Sequence, residues 1–91
     1  MSMYLITYEL IRPAKEYLAL FQQIKDISEI WWHNLNSAWI IKHKGPSTAI
    51  LRALKPYVHP RDKLLVIKLD HEAAGIGFHT QASQWVKINL E

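Results

Sequence analysis

Cysteine is absent from the 91 residues, which removes disulfides, thiolate metal ligands and a cysteine nucleophile together. The absence fits a reducing compartment. No apolar run approaches the roughly 20 residues that a membrane helix requires, and the chain does not open on a charged stretch, an apolar stretch and a cleavage site. The expectation is therefore a cytoplasmic protein with no membrane segment. Met1, Ser2, Leu90 and Glu91 carry no weight in this reading, because terminal residues of this kind can come from an expression vector. Glycine is scarce too, at three residues, and Gly75-x-Gly77 lacks the third glycine and the strand-to-helix setting of a dinucleotide fingerprint. Neither a Walker-type loop nor a Gly-x-Ser-x-Gly elbow is present.

What is there describes a packed chain. The apolar share of 49% includes four Trp, four Tyr and two Phe, and the charged share of 21% with so little glycine argues against disorder. The length suits a single domain over residues 1–91, small enough that association with a second copy would help its stability. Eleven Lys and Arg against eight Asp and Glu give a net charge of +3, a mild bias toward polyanions.

The run Met3 to Tyr8 is aromatic and β-branched and too short for a buried helix, so it reads as a strand. Pro13 opens a helix whose residues Tyr17, Leu20, Phe21, Ile24 and Ile27 share one face, ending near Ser28. Ile30 to Leu35 and Ala38 to His43 flank Asn36 and Ser37 and predict a β-hairpin. Ser47 is the expected N-cap of a second helix carrying Ile50, Leu51, Leu54 and Val58, which fades near Pro56 and Pro60. Leu64 to Leu69 is the fourth strand, and an amphipathic segment with Ala82, Trp85 and Val86 on one side begins near Thr80. The order β-α-β-β-α-β plus a C-terminal helix predicts an α+β, ferredoxin-like fold: an antiparallel four-stranded sheet of order 4-1-3-2 with both helices on one face.

That topology brings the end of strand one beside the starts of strands three and four. Glu9 would then share a polar rim with Asn34, Asn36, Ser37, Arg61, Asp62 and Lys63. A carboxylate pair such as Glu9 and Asp62 suits Mg²⁺, with Arg12, Arg61 and Lys63 placed to hold phosphate oxygens. The plainer reading is that Glu9 pairs with Arg12 or Lys63 on a solvated rim while Asp62 caps a turn. Strands one and four carry apolar residues on both faces, so the face without helices needs a cover, and a second subunit would supply it. Across a two-fold axis Glu9 could meet its symmetry mate and share one metal ion with it.

Trp31, Trp32, His33 and Trp39 can stack on bases or serve as core and interface, and no Lys/Arg-Gly-Phe signature favours the first. The five histidines include no His-x-x-x-His or His-Glu-x-x-His pairing. Asp70, His71 and Glu72 form the densest metal-like triplet, but consecutive residues at a strand end point in alternating directions, so they read as turn chemistry, with a metal site as the minority reading.

Tyr4-Leu5-Ile6-Thr7-Tyr8-Glu9-Leu10, the hairpin with Trp31-Trp32-His33 and Ser37-Ala38-Trp39-Ile40, and Asp62-Lys63-Leu64-Leu65-Val66-Ile67 together resemble small SinR-like proteins. These are similar in turn to the Cas-two subunit of the CRISPR adaptation machinery and to VapD-type toxins. The resemblance spans nearly the whole chain and implies a ferredoxin-like homodimer, a metal-dependent endonuclease in some relatives and a structural nucleic-acid-binding subunit in others. In the nuclease-like members an Asp ends strand one and binds metal near the dimer axis, and Glu9 stands at that position here. A C-terminal helix replaces the extra strand that often ends Cas-two proteins.

The expectation is thus a cytoplasmic homodimer that binds nucleic acid, with Mg²⁺-dependent cleavage at Glu9 and Asp62 and phosphate contacts from Arg12, Arg61 and Lys63. The alternative is a non-catalytic interaction module using the same dimer as a scaffold, with small-molecule binding third.

Overall fold

A computed structural model describes residues 1–90. Strand β1 (Ser2–Glu9) lies inside an antiparallel sheet between β3 (Ala38–His43) and β4 (Lys63–Lys68), and β2 (Ile30–Leu35) closes the far edge. The order β2-β3-β1-β4 is 4-1-3-2 read from the β4 edge. Three helices complete the α+β architecture: α1 (Leu18–Ile27), α2 (Ser47–Leu54) and α3 (Thr80–Leu90).

Alternation along β1 decides which side chains meet the helices. Tyr4, Ile6 and Tyr8 join Trp39 and Ile41 of β3 beneath Leu20 and Ile24 of α1 and Ile50 and Leu54 of α2. Ile6, Leu20, Ile24, Ile41, Ile50 and Leu54 are fully buried, and they form the centre of the core.

The helix starts differ from the pattern-based expectation. After Pro13, which is extended (φ −60°, ψ 149°), the chain makes a 3-10 turn over Ala14–Tyr17 before α1 begins. Tyr17 leaves helical values (φ −118°, ψ 20°) at the junction, where its hydroxyl bonds Asp62 rather than solvent. In α2 the cap position belongs to Pro46, whose carbonyl accepts from the Ala49 N–H at 3.0 Å, and Ser47 is the first helical residue with no side-chain cap bond. Pro56 then confines the chain beyond Leu54 to a short 3-10 turn, Lys55–Tyr57, since it has no N–H to extend the helix.

The hairpin closes through Asn36 and Ser37 with Leu35 opposite Ala38. Among the described residues no non-glycine residue has a positive φ, so this turn is not the type I′ connection that matches strand twist best. A register shift between Trp32 and Leu35 lies directly before it. Gly45 matters for a different reason: its carbonyl accepts from the Tyr4 hydroxyl at 2.8 Å, and a Cβ there would lie 2.9 Å from the His43 ring.

The sheet's second face carries Met3, Leu5, Thr7 and Glu9 of β1, with Ile40 across from Leu5 on one side and Ile67 on the other. The expectation gave this face to a second subunit. In fact α3 covers part of it: Trp32 donates its indole N–H to the Ala82 carbonyl at 3.0 Å and meets Phe78 edge-on at 5.1 Å. Cover stops there, and Leu65 and Ile67 of β4 remain 55% and 42% exposed.

Candidate functional site

Glu9 ends β1 directly across from Lys63, because the β1–β4 register that pairs Ile6 with Val66 carries that alignment to the strand's last residue. Its carboxylate lies 3.8 Å from the Lys63 ammonium, and both side chains are about four-fifths exposed, at 81% and 80%. Solvent screens such a pair strongly, so its effect is on orientation and charge distribution more than on stability. Two shallow grooves flank Glu9. One of about 300 Å³ runs over Thr7, Lys63 and Leu65, and one of about 410 Å³ is bounded by Arg12, Phe21, Asn36 and Ser37.

The turn of the hairpin is tied to the end of β1. The Tyr8 N–H donates to the Ser37 carbonyl at 3.1 Å, and the Thr7 hydroxyl donates to the same oxygen at 3.0 Å. Asn36, Ser37 and Lys63 thus stand at the rim with Glu9. Asn34 does not belong to it, because its side-chain oxygen lies 3.2 Å from the His79 Nε2, ahead of α3.

Asp62 faces a different set of atoms from Glu9. Its Oδ1 accepts the Ile11 N–H at 2.9 Å and the Tyr17 hydroxyl at 2.8 Å, while Oδ2 accepts the His59 N–H at 2.7 Å. The Asp62 N–H in turn donates to the His59 carbonyl at 2.9 Å, closing the turn before β4. One side chain therefore fastens the exit from β1, the approach to α1 and the entry to β4. Burial works against its charged form, but the Ile11 and His59 amides and the Tyr17 hydroxyl outweigh that and hold its pKa below the ordinary aspartate value. The Tyr17 hydroxyl is pushed the other way, by burial first and then by its bond to the carboxylate. Tyr17 is the neighbour of Asp62 that periodicity concealed, since it reads equally well as one more apolar residue of the helix stripe.

The basic rim residues divide. Arg12 pairs with Glu16 at 4.0 Å one turn on, and the Arg61 N–H is bound by the His59 ring at 3.2 Å with its guanidinium side chain exposed. Glu9 is the rim carboxylate free of backbone bonds, and it would be the ligand offered to a cation. Among the described residues no group of three or more His, Asp or Glu stands close enough to hold a metal ion, so one copy supplies no cage. No helix among them is long and apolar enough to cross a membrane.

Comparison with known proteins finds no matching family model, no matching curated protein and no matching solved structure. The functional reading therefore rests on the geometry.

Proposed function

We propose that the protein acts as a homodimer that binds nucleic acid, with two copies meeting through the uncovered half of the sheet's second face. The observation that carries this reading is that half-face itself: Leu65 and Ile67 stand open on the edge strand beside partly buried Leu5, and the strip ends in the charged pair Glu9 and Lys63. Apolar surface bordered by charge at one end is the usual composition of an interface with a polar rim. Arg12, Arg61 and Lys63 then contact phosphate beside the seam.

Binding is favoured over cleavage by the state of the two carboxylates. Asp62 is engaged by three donors, which leaves Glu9 alone to meet a metal within one copy. Mg²⁺-dependent hydrolysis is the second reading, supported by the position of Glu9 at the open end of the strip. A two-fold axis there would give two carboxylates, the number Mg²⁺ commonly takes while keeping several waters. The ion would supply an activated water and charge neutralisation at the phosphodiester.

Sedimentation equilibrium at micromolar concentration, with and without Leu65→Asp, tests the dimer. A wild type that sediments as a monomer sinks the reading. Labelled single-stranded RNA and duplex DNA, incubated with Mg²⁺ or with chelator beside Glu9→Ala, separate the two activities. Retention without product supports the scaffold, and product lost in both chelator and Glu9→Ala supports hydrolysis.

A further inference from the structure

The charges of this chain are unevenly distributed along it. From Lys44 to Lys68 there are six cations, Lys44, Arg52, Lys55, Arg61, Lys63 and Lys68, against the single carboxylate of Asp62. That segment carries +5, so the remainder, with five cations and seven carboxylates, carries −2. The segment is also one piece of the fold, because it comprises α2, the turn after it and β4, and α2 packs on β4 at the sheet's edge.

Three further observations give this flank a recognition chemistry. All six cationic residues are exposed, and among the described residues only Lys63 has a carboxylate within 4.0 Å. The flank's own carboxylate accepts hydrogen bonds from Ile11, Tyr17 and His59, so both of its oxygens are engaged by the fold. Between Lys55 and Arg61 stands Tyr57, 40% exposed, beside a groove of about 520 Å³ whose lining includes Lys55, Val58, His59, Pro60 and Asp62.

We propose that the α2–β4 flank is a binding surface for single-stranded nucleic acid, in which Arg52, Lys55 and Arg61 follow the phosphates and Tyr57 stacks on a base. The proposal rests on the nucleic-acid reading above and extends it from the rim at Glu9 to a whole side of the molecule. Cations interleaved with an exposed aromatic suit a single strand, whose base faces are free to stack, whereas a duplex keeps its base faces stacked inside the helix and offers phosphates and groove edges. Recognition of this kind is independent of sequence and strongly salt-dependent.

Fluorescence anisotropy with labelled 15-mers of dT and U and a 15-base-pair duplex, between 50 and 200 mM salt, tests it. The exposed pair Arg52→Gln/Lys55→Gln is expected to weaken single-strand binding at least about tenfold and to flatten the logarithmic salt dependence by about 1.4, at roughly 0.7 per lost cation. Tyr57→Ser is expected to weaken binding by at least about fivefold with the salt slope unchanged, as loss of one stacked base would. The charge-matched pair Lys15→Gln/Lys25→Gln, outside the flank, should bind as wild type. If wild type binds but Arg52→Gln/Lys55→Gln keeps its affinity and slope, or if the duplex is preferred, the flank proposal is overturned while the broader reading survives. If wild type binds neither form, both fall.

Discussion

The two faces of the sheet come from the same strands and are finished to different standards. On the helix face, Ile6, Ile24, Ile41, Ile50 and Leu54 have no exposed surface, and Trp39 is closed in by Phe21, His33 and Trp31. On the second face α3 seals Trp32 and Ala82, but an apolar cavity of about 450 Å³ stays open between the sheet and residues such as Phe78, Val86 and Leu90, and the β4 side lacks cover altogether. Close packing is what makes a core rigid and costly to disturb, and incomplete packing is what leaves surface for another molecule. Stability is accordingly concentrated on one face, and the candidate function lies at the edges and on the other.

The contrast between the faces fails first if Trp39 can be removed cheaply. Trp39→Ala deletes a fully buried indole, its stack on His33 at 3.8 Å and its N–H bond to the Tyr8 hydroxyl at 3.0 Å. The expected cost is about 3–5 kcal/mol, a drop in melting temperature of more than about 12 °C for a domain of this size. Trp32→Ala on the second face removes an equally buried ring, yet its neighbours on α3 have room to relax, so a loss of about 2 kcal/mol is expected. Hydrogen exchange should show that loss as faster exchange over Thr80–Leu90 with β1 and β3 protected. Equal damage to both regions would mean that the faces form one cooperative unit.

Much of this division is legible in the sequence, and the rest fails for identifiable reasons. Strand alternation and the β-α-β-β-α-β order lead directly to the observed sheet, and the sheet places Glu9 opposite Lys63. The role of Asp62 is hidden because two of its partners, Ile11 and Tyr17, lie 51 and 45 residues away, and a carboxylate beside two cations looks like a ligand until those donors converge on it. Asn34 is misplaced by the same topological logic, since the register shift after Trp32 and the docking of α3 turn it toward His79. The α2–β4 flank can be counted in the sequence, but only packing of α2 on β4 joins its two halves.

Smaller effects are expected on titration. Burial against Trp39 is the main cause that lowers the His33 pKa from 6.5, with the Lys25 ammonium acting in the same sense and the Asn36 and Leu35 backbone opposing it. Asp62 is likewise lowered. Both groups bind protons more readily in the unfolded chain, so each contributes stability above its unfolded pKa that is lost as pH falls toward the folded one. The windows are separate: His33 acts as pH drops below 6.5, Asp62 as it drops below the ordinary aspartate value of 3.8. In denaturant melts across pH, His33→Phe should remove the upper decline and keep an aromatic stack, and Asp62→Asn should remove the lower one at a cost in stability near neutrality. A wild-type profile flat from pH 7 to 5 would show that His33 is not held neutral by its burial.

The smallest expected effect belongs to the residue that first draws the eye. Glu9 and Lys63 sit at the open end of the second face, four-fifths exposed and separated by a full 3.8 Å. A double-mutant cycle of Glu9→Gln and Lys63→Gln should return a coupling of about 0–1 kcal/mol, shrinking further in high salt. Asp62→Asn leaves three inward-facing donors poorly matched, so its penalty should exceed that of Glu9→Gln measured in the same buffer. That ranking separates the two carboxylates, because a side chain that costs the fold little and still sits at the end of an uncovered apolar strip is one whose effects should appear in association and ligand binding. A Glu9→Gln penalty as large as that of Asp62→Asn would make Glu9 a second structural latch and remove the reason for placing function at this end of the sheet.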